Sequence, residues 1–383
     1  MIYDPQEDSY MLVDAVKKYA RGKVLDIGTG SGVQGIAALK NKDVTHIIFS
    51  DVDTECVVHV NNKVHDKRAE FIVADLFNGF DVKKKFDSII FNPPYLPDDE
   101  YDKSLCNVGG KKGYELIFRF LDKAKEYLEE DGIILLLFSS LSKKNSVDKK
   151  IDKDYVYELI SEKSFFMEKL YVYKIEKKKI FKGHRGFAGT INYVFKKNNT
   201  IRNIIAIEKY SRTQFYDAKK ELDILKLLNK KGIGPQLYKY DNKNNKIIME
   251  YIRGERIIDF IIAHTKKDIM DVLKQIIDQL IIMDKMMINK QEMTNPYKHI
   301  IITERNGTYK PIMIDFERAQ KTTRPKNITQ FIQFLTSGRL QHIFKEKDIN
   351  IDKIRLLEIA KSYKNKKDVK KEIIRCMKFR CMK

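Results

Sequence analysis

Tryptophan is absent from the chain, and cysteine is scarce: Cys56, Cys106, Cys376 and Cys381 form no CxxC pair and have few histidines nearby. That spacing argues against a zinc site, and the thiols are read as reduced. No apolar run approaches the ~20 residues needed to span a bilayer, so no membrane partner is expected. Met1 leads straight into Ile2-Tyr3-Asp4-Pro5-Gln6-Glu7-Asp8, with no charged start followed by an apolar stretch. A secretory signal is therefore not expected, and a cytoplasmic location is. Acidic residues are outnumbered, 53 Asp and Glu against 73 Lys and Arg, for a net charge of +20. The excess is mostly lysine, beside abundant isoleucine. It suits anionic partners such as RNA, the ribosome or nucleotides, or else reflects source composition or a hot habitat.

What is present is enough for two cores: 383 residues, 43% of them hydrophobic. The stretch around which the chain is organised is Phe91-Asn92-Pro93-Pro94-Tyr95, at the end of the apolar run Phe86 to Ile90. Each proline locks φ and lacks an N–H, so a strand ending there presents one side-chain amide and two carbonyls in fixed positions. The Asn92 oxygen and the Pro93 carbonyl can each accept one N–H of a planar NH2 group, while Tyr95 stacks on its flat face. A plain Pro-Pro strand terminator is the alternative.

Upstream, a helix is expected over Tyr10 to Tyr19, capped by Ser9 or Asp8. The strand Lys23 to Ile27 runs into Gly28-Thr29-Gly30-Ser31-Gly32 and a helix from Val33. Glycines at such a turn let a ligand approach the backbone, and the helix start adds positive potential. The spacing lacks the x-x-Gly ending of the dinucleotide fingerprint. Strand His46 to Ser50 ends at Asp51, placed to accept from ribose hydroxyls, and Glu70 to Ala74 ends at Asp75-Leu76, where a carboxylate can accept from an adenine amino group. Four strands ending in polar groups on one rim of a parallel sheet point to a ligand site. Leu96 to Lys112 reads as a substrate-side loop. A helix over 114–130, a buried strand over 132–138, a charged helix over 147–162 and an antiparallel strand over 168–175 complete the reading.

In order, Tyr3-x-Pro5-x-Glu7-Asp8-Ser9, Leu25-Asp26-Ile27-Gly28-Thr29-Gly30-Ser31-Gly32, Asp51, Asp75-Leu76, Asn92-Pro93-Pro94-Tyr95 and Gly109-Gly110-Lys111-Lys112-Gly113 resemble the archaeal and eukaryotic branch of the HemK-type glutamine methyltransferases. The resemblance implies a class I methyltransferase fold: Rossmann-like, mostly parallel, with an antiparallel C-terminal strand. It implies S-adenosylmethionine as methyl donor and, as acceptor, the glutamine of the Gly-Gly-Gln motif in a class I translation release factor. By position, Ser9, Asp26, Gly28, Gly30, Asp51, Asp75 and Leu76 would hold the cofactor. Asn92, Pro93, Pro94 and Tyr95 would hold the acceptor, with Asn92, Pro93 and Tyr95 catalytic. A small zinc-binding activator subunit is a further implication. The same geometry would hold the exocyclic amine of adenine in DNA or RNA, although no extra base-recognition region is fused to this half.

The second half restarts after Lys177-Lys178-Lys179. Ile180 to Gly189, with Gly183 and Gly186, reads as a glycine-rich turn between strands. A strand over 203–209 places Lys209 near its end, and a helix from about Thr213 to Lys230 carries Glu221. The strand 246–251 precedes long helices, and Pro311 to Ile314 ends at Asp315-Phe316-Glu317. This order resembles the atypical protein kinases of the RIO and archaeal KEOPS type, an α+β fold. The resemblance implies that Lys209 holds ATP phosphates, Glu221 orients it and Asp315 binds Mg²⁺. In the catalytic loop, Glu292 stands where that family has aspartate, and Asn295 or His299 stands for its metal-binding asparagine. A noncatalytic pseudokinase or docking module is the competing reading. The expected boundaries are 1–176, 177–340 and a basic helical tail over 341–383. That tail either packs on the second domain, extends as a solvated helix or touches RNA, with Leu356, Ile359, Ala360 and Tyr363 at helical spacing.

Overall fold

A computed structural model describes residues 2, 4–98, 108–182, 186–197, 200–211, 218–305, 307–363 and 369–379. Tyr3, Cys106, Gly183, the expected helix start at Thr213 and Cys381 lie outside the described residues. The chain divides into two compact units, 1–180 with 190–205, and 181–189 with 206–383.

The first unit is built on seven strands: β1 (Gly22–Ile27), β2 (Val44–Asp51), β3 (Ala69–Val73), β4 (Phe86–Phe91), β5 (Leu128–Ser139), β6 (Tyr155–Ser164) and β7 (Lys169–Lys177). They form one sheet in the order β3-β2-β1-β4-β5-β7-β6. The first five strands are parallel, and β7 runs antiparallel to both β5 and β6. This is the class I S-adenosylmethionine-dependent methyltransferase sheet, with the antiparallel strand where the sequence put it. Five helices flank it: α1 (Glu7–Tyr19), α2 (Val33–Leu39), α3 (Thr54–Lys63), α4 (Glu115–Tyr127) and α5 (Lys144–Asp154).

Strand alternation divides the core. In β5, Ile133, Leu135 and Leu137 join Val24, Ile47, Phe49 and the buried face of α1, while Ile134, Leu136 and Phe138 join Ile89, Phe91 and the α4 residues Ile117, Phe120 and Leu121. Both faces of the sheet are covered, which is why its strands read as continuous apolar runs. Gly35 lets α2 lie on β2, since a Cβ there would stand 2.1 Å from the Phe49 ring.

Two expectations for this unit are corrected. The charged helix over 147–162 stops at Asp154, and Tyr155–Ser164 is β6. Val147 and Ile151 bury one helical stripe, but the contiguous Tyr155, Val156 and Tyr157 are all buried and pair along β7. An aromatic and β-branched run of that kind favours a strand. Secondly, neither Asp8 nor Ser9 caps α1. Gln6 holds the cap position, and both residues lie buried inside the first turn.

In the second unit a five-stranded sheet has the order β11-β12-β10-β9-β8, from β8 (Ile180–Lys182), β9 (Gly186–Lys197), β10 (Thr200–Ser211), β11 (Leu237–Asp241) and β12 (Lys246–Glu250). Within β9 and β10, the residues of 190–205 belong to the first unit. Helix α6 (Ala218–Asn229) follows β10. Beyond β13 (Glu255–Arg256) come α7 (Ile257–Ala263), α8 (Lys266–Lys285), β14 (Ile288–Asn289), β15 (Ile300–Arg305), β16 (Thr308–Met313) and β17 (Gln320–Lys321). Then follow α9 (Asn327–Leu335), α10 (Gly338–Glu346), β18 (Ile349–Ile351), α11 (Lys353–Ser362), α12 (Val369–Arg375) and β19 (Met377–Phe379). Pro311 is tolerated in β16 because that strand lies at the edge of the sheet β13-β15-β16.

The C-terminal segment is not a solvated tail. Leu356 and Ile359 are fully buried in the core of the second unit, beside Val369, Ile373 and Met377, and Ala360 and Tyr363 pack against it. A helical stripe that is buried belongs to the domain rather than to solvent. Among the described residues no helix is long and apolar enough to cross a membrane.

Candidate active site

Parallel register brings the ends of β1, β2, β3 and β4 to one rim. Ile27 stands opposite both Ser50 and Phe91, and Asp51 stands opposite Val73. The residues that follow each strand, Gly28, Val52, Ala74 and Asn92, therefore open on the same side.

The turn after β1 uses the left-handed region at Gly28 (φ 63°) and Gly30 (φ 51°), which side chains enter only with strain. The Asp26 carboxylate braces it: its Oδ2 accepts from the Thr29 hydroxyl at 2.7 Å and from the Gly35 N–H at 3.0 Å. The Gly30 N–H donates to Asp51 Oδ2 at 2.9 Å, and the Asp53 N–H donates to Asp51 Oδ1 at 3.0 Å. Asp51 is thus fixed at the mouth of the turn. Asp75 is half-exposed and meets Arg119 at 2.6 Å, and Leu76 beside it adopts a left-handed φ of 53°.

Burial pushes the Asp26 carboxyl up from 3.8 to about 7, against the pull of its hydrogen bonds from Thr29 and Gly35. A carboxyl raised on folding favours the folded state at low pH, and that contribution is lost as pH climbs from about 4 to about 7. Thermal unfolding of the full chain across this window should therefore show a pH dependence that Asp26→Asn flattens. An unchanged slope in the variant would remove Asp26 as its source.

The corner after β4 is held from three directions. Asn92 Nδ2 donates to Asp8 Oδ2 at 3.0 Å, which fixes which end of the amide faces α1. The other end, Asn92 Oδ1, is buried and has no hydrogen-bond partner among the described residues. The Ser142 hydroxyl donates to the Tyr95 carbonyl at 2.8 Å. Gly109 and Gly113 lie flush on the corner's backbone, since a Cβ at Gly109 would stand 2.4 Å from the Pro94 carbonyl oxygen and one at Gly113 2.5 Å from that of Tyr95. The glycines of the loop are therefore a packing surface for Pro94 and Tyr95. Ser9 is buried in α1, and its carbonyl accepts from Gln34 at 3.5 Å.

Comparison with known proteins places this unit. The family description "Methyltransferase small domain" matches residues 5–161. A putative protein N5-glutamine methyltransferase of Methanocaldococcus jannaschii is 36% identical over 156 residues, spanning 39% of this chain and 78% of that protein. The chain belongs to the HemK-type glutamine methyltransferase family. The eRF1 methyltransferase catalytic subunit of Schizosaccharomyces pombe is 26% identical over 182 residues, 40% of this chain and 79% of its own. A release factor glutamine methyltransferase of Koribacter versatilis is 29% identical over 148 residues, and there the chain spans about half the relative's length, 53%.

Within this HemK-type unit, sequence reasoning missed Asp8 as the partner of Asn92 and Arg119 as the partner of Asp75. Asp8 was visible as a helix-start acid and as part of the N-terminal motif, but nothing local to either residue signals its pairing with Asn92.

The second unit gathers a separate charged cluster. Lys209 Nζ lies 2.8 Å from Glu221 on α6 and 2.8 Å from Asp315. Burial alone would lower the Lys209 pKa, but the Glu221 and Asp315 carboxylates hold it above its usual range. Desolvation alone would raise the Asp315 carboxyl, but the Lys209 and Lys290 ammoniums hold it well below the usual carboxylate range. Glu221 also accepts the Phe316 N–H at 3.1 Å. Lys290, which is fully buried, donates to the carbonyls of Ile314, at 2.7 Å, and Asp315, and its ammonium lies over the Phe316 ring. Together these bonds hold Asp315 at a left-handed φ of 62°. Glu292 stands 3.7 Å from Lys290. Burial pushes the Glu292 carboxyl up and the Lys290 ammonium down. His299 is lowered to about 4 by burial and by the Lys290 charge. Gly186 opens β9.

Proposed function

We propose that the first unit transfers a methyl group from S-adenosylmethionine to the side-chain amide of the glutamine in the Gly-Gly-Gln motif of a class I translation release factor. The observation that carries the reading is the Asn92 amide, locked at its NH2 end by Asp8 and left with a buried, unpartnered oxygen. A buried acceptor without a donor is costly, and an incoming N–H relieves that cost. The residues present fit the donor: a glycine-rich turn whose Gly30 N–H is fixed by Asp51, with Asp75 and Leu76 beside it on the rim.

S-adenosylmethionine supplies an electrophilic methyl on a sulfonium. The protein's task is orientation, because an amide nitrogen donates poorly while its lone pair is delocalised into the carbonyl. Asn92 Oδ1 and the Pro93 carbonyl would each take one N–H of the acceptor, turning its lone pair toward the methyl and making the encounter intramolecular. Tyr95, its backbone fixed by Ser142 and Gly113, would cover the flat face of the amide. No strong base is needed before transfer, since the proton becomes acidic afterwards.

An adenine amine would satisfy the same acceptors. The rim favours a protein acceptor. Since β6 runs parallel to β1 through β5, its end opens on the same side as Asn92. The turn there exposes Phe166 and Met167, 100% and 81% accessible, and Lys163 ties β6 to α1 through Glu7 at 2.7 Å. An exposed apolar tip suits a protein surface better than a phosphate backbone. The relatives named above as glutamine or release-factor methyltransferases point the same way. Labelled-methyl assays with a purified class I release factor, duplex DNA and tRNA test the choice. Label in the release factor alone supports it, and label in nucleic acid alone refutes it.

For the second unit we propose an ATP-binding, kinase-like role. Its support is Lys209 placed between a buried helix glutamate and Asp315, the arrangement that orients a phosphate-holding lysine beside a cation-binding carboxylate. Among the described residues no three His, Cys, Asp or Glu side chains are grouped to hold a metal ion, so the reading rests on the lysine and its two carboxylates.

A further inference from the structure

This inference rests on the release-factor reading of the first unit and concerns how that acceptor is held. The sheet order β3-β2-β1-β4-β5-β7-β6 puts the strand ends proposed for the cofactor, those of β1, β2 and β3, on one side of Asn92. The body of an acceptor protein is left the other side, along the ends of β5, β7 and β6.

On that side a line of hydrogen bonds leads away from the acceptor corner. Just beyond β5 the Ser142 hydroxyl donates to the Tyr95 carbonyl at 2.8 Å, and the Ser140 hydroxyl accepts from the Lys169 N–H, at the start of β7, at 3.0 Å. Lys169 pairs with Ser164, the last residue of β6. The turn between them is closed by the Phe165 N–H, which donates to the Glu168 carbonyl at 2.7 Å. Lys163 braces the tip: its ammonium lies 5.3 Å from the centre of the Phe165 ring and 2.7 Å from Glu7, the residue before Asp8. Along this line Leu141, Phe165, Phe166 and Met167 all expose apolar side chains. Such residues scattered singly over a surface need no explanation, but a row of them at one end of one sheet marks an interaction site.

We propose that Leu141, Phe165, Phe166 and Met167 form a docking ledge for the folded surface of the release factor beside its Gly-Gly-Gln motif, separate from the corner that takes the glutamine. Three strand spacings separate β4 from β6, about 14 Å in all, which is further than a glutamine side chain reaches. The ledge therefore touches parts of the acceptor that do not change during methyl transfer. Contacts of that kind hold substrate and transition state equally, so their contribution falls on KM and not on kcat.

Steady-state methylation of a purified class I release factor by the full chain tests this. Phe166→Ser combined with Met167→Ser should raise KM for the release factor about tenfold and leave kcat and S-adenosylmethionine affinity within about twofold. Both side chains stand in solvent, so their replacement opens no cavity. Val82→Ser, at an exposed apolar residue ahead of β4 and so at the opposite end of the sheet, should change none of the three. A release factor whose motif glutamine is replaced by alanine should inhibit the wild-type chain, and the double variant should weaken that inhibition about tenfold. Unchanged KM and inhibition would overturn the ledge and leave the methyltransferase reading standing. So would a fall in kcat alone, which would put the tip at the reacting centre. A drop in sedimented mass with KM unchanged would overturn it too, by assigning the tip to a second copy of the chain. No methylation of the release factor by the wild-type chain would overturn both readings.

Discussion

Asn92→Ala should lower methyl transfer to a release factor by about 10³-fold while leaving S-adenosylmethionine affinity within about twofold. The side chain is removed from a corner whose backbone is fixed independently, by two prolines, by the Ser142 bond to Tyr95 and by Gly109 and Gly113 beneath it. The side of the rim proposed for the cofactor, where Asp26 and Asp51 hold the glycine turn, makes no use of Asn92. The loss should therefore fall on kcat. Single-turnover methylation with equilibrium dialysis of the cofactor separates the two effects. Wild-type methylation by the variant would refute the role of Asn92, and a parallel loss of cofactor binding would mean that the corner had collapsed.

Lys209→Ala should destabilise the second unit by about 3–5 kcal/mol, because it strands a buried carboxylate. Glu221 is 1% exposed and sits 2.8 Å from the ammonium, so its charge has no access to water once the lysine is gone. Asp315, with its side chain 45% exposed, can rehydrate. A double replacement, Lys209→Met with Glu221→Leu, removes both charges and should recover most of the stability while binding no nucleotide. Denaturant unfolding of the full chain, monitored in the second unit by hydrogen exchange, measures both. A single variant as stable as the double would show that the pair contributes little and that Glu221 finds another partner.

Much of the candidate site was legible because its signals are local. Asn-Pro-Pro-Tyr after an apolar run, and the glycines after β1, each state a backbone geometry in consecutive residues. The acidic ends of β2 and of the segment after β3 follow from the parallel sheet that those runs imply. What could not be read is what crosses the chain. Asp8 meets Asn92 across 84 positions, and an acid in the first turn of a helix carries no mark of it. Tyr155 to Glu162 was read through the charges around it as the end of a helix, because the pairing with β7 that makes it a strand is tertiary. The tail's apolar stripe was visible at helical spacing, but among so many lysines only its place in the core of the second unit shows that it packs. Lys290, between two buried elements, offered only a charge in an unfamiliar loop. Its bonds to the backbone before Phe316 appear only once β16 is placed.

The central claim is that an oriented amide acceptor at Asn92 receives a glutamine side chain. It is tested most directly by incubating the full chain and S-adenosylmethionine with a purified class I release factor, then sequencing the Gly-Gly-Gln peptide by mass spectrometry. A single methyl on the glutamine nitrogen, absent with Asn92→Ala, is the predicted result. An unmodified glutamine beside methylated adenine in nucleic acid would contradict it.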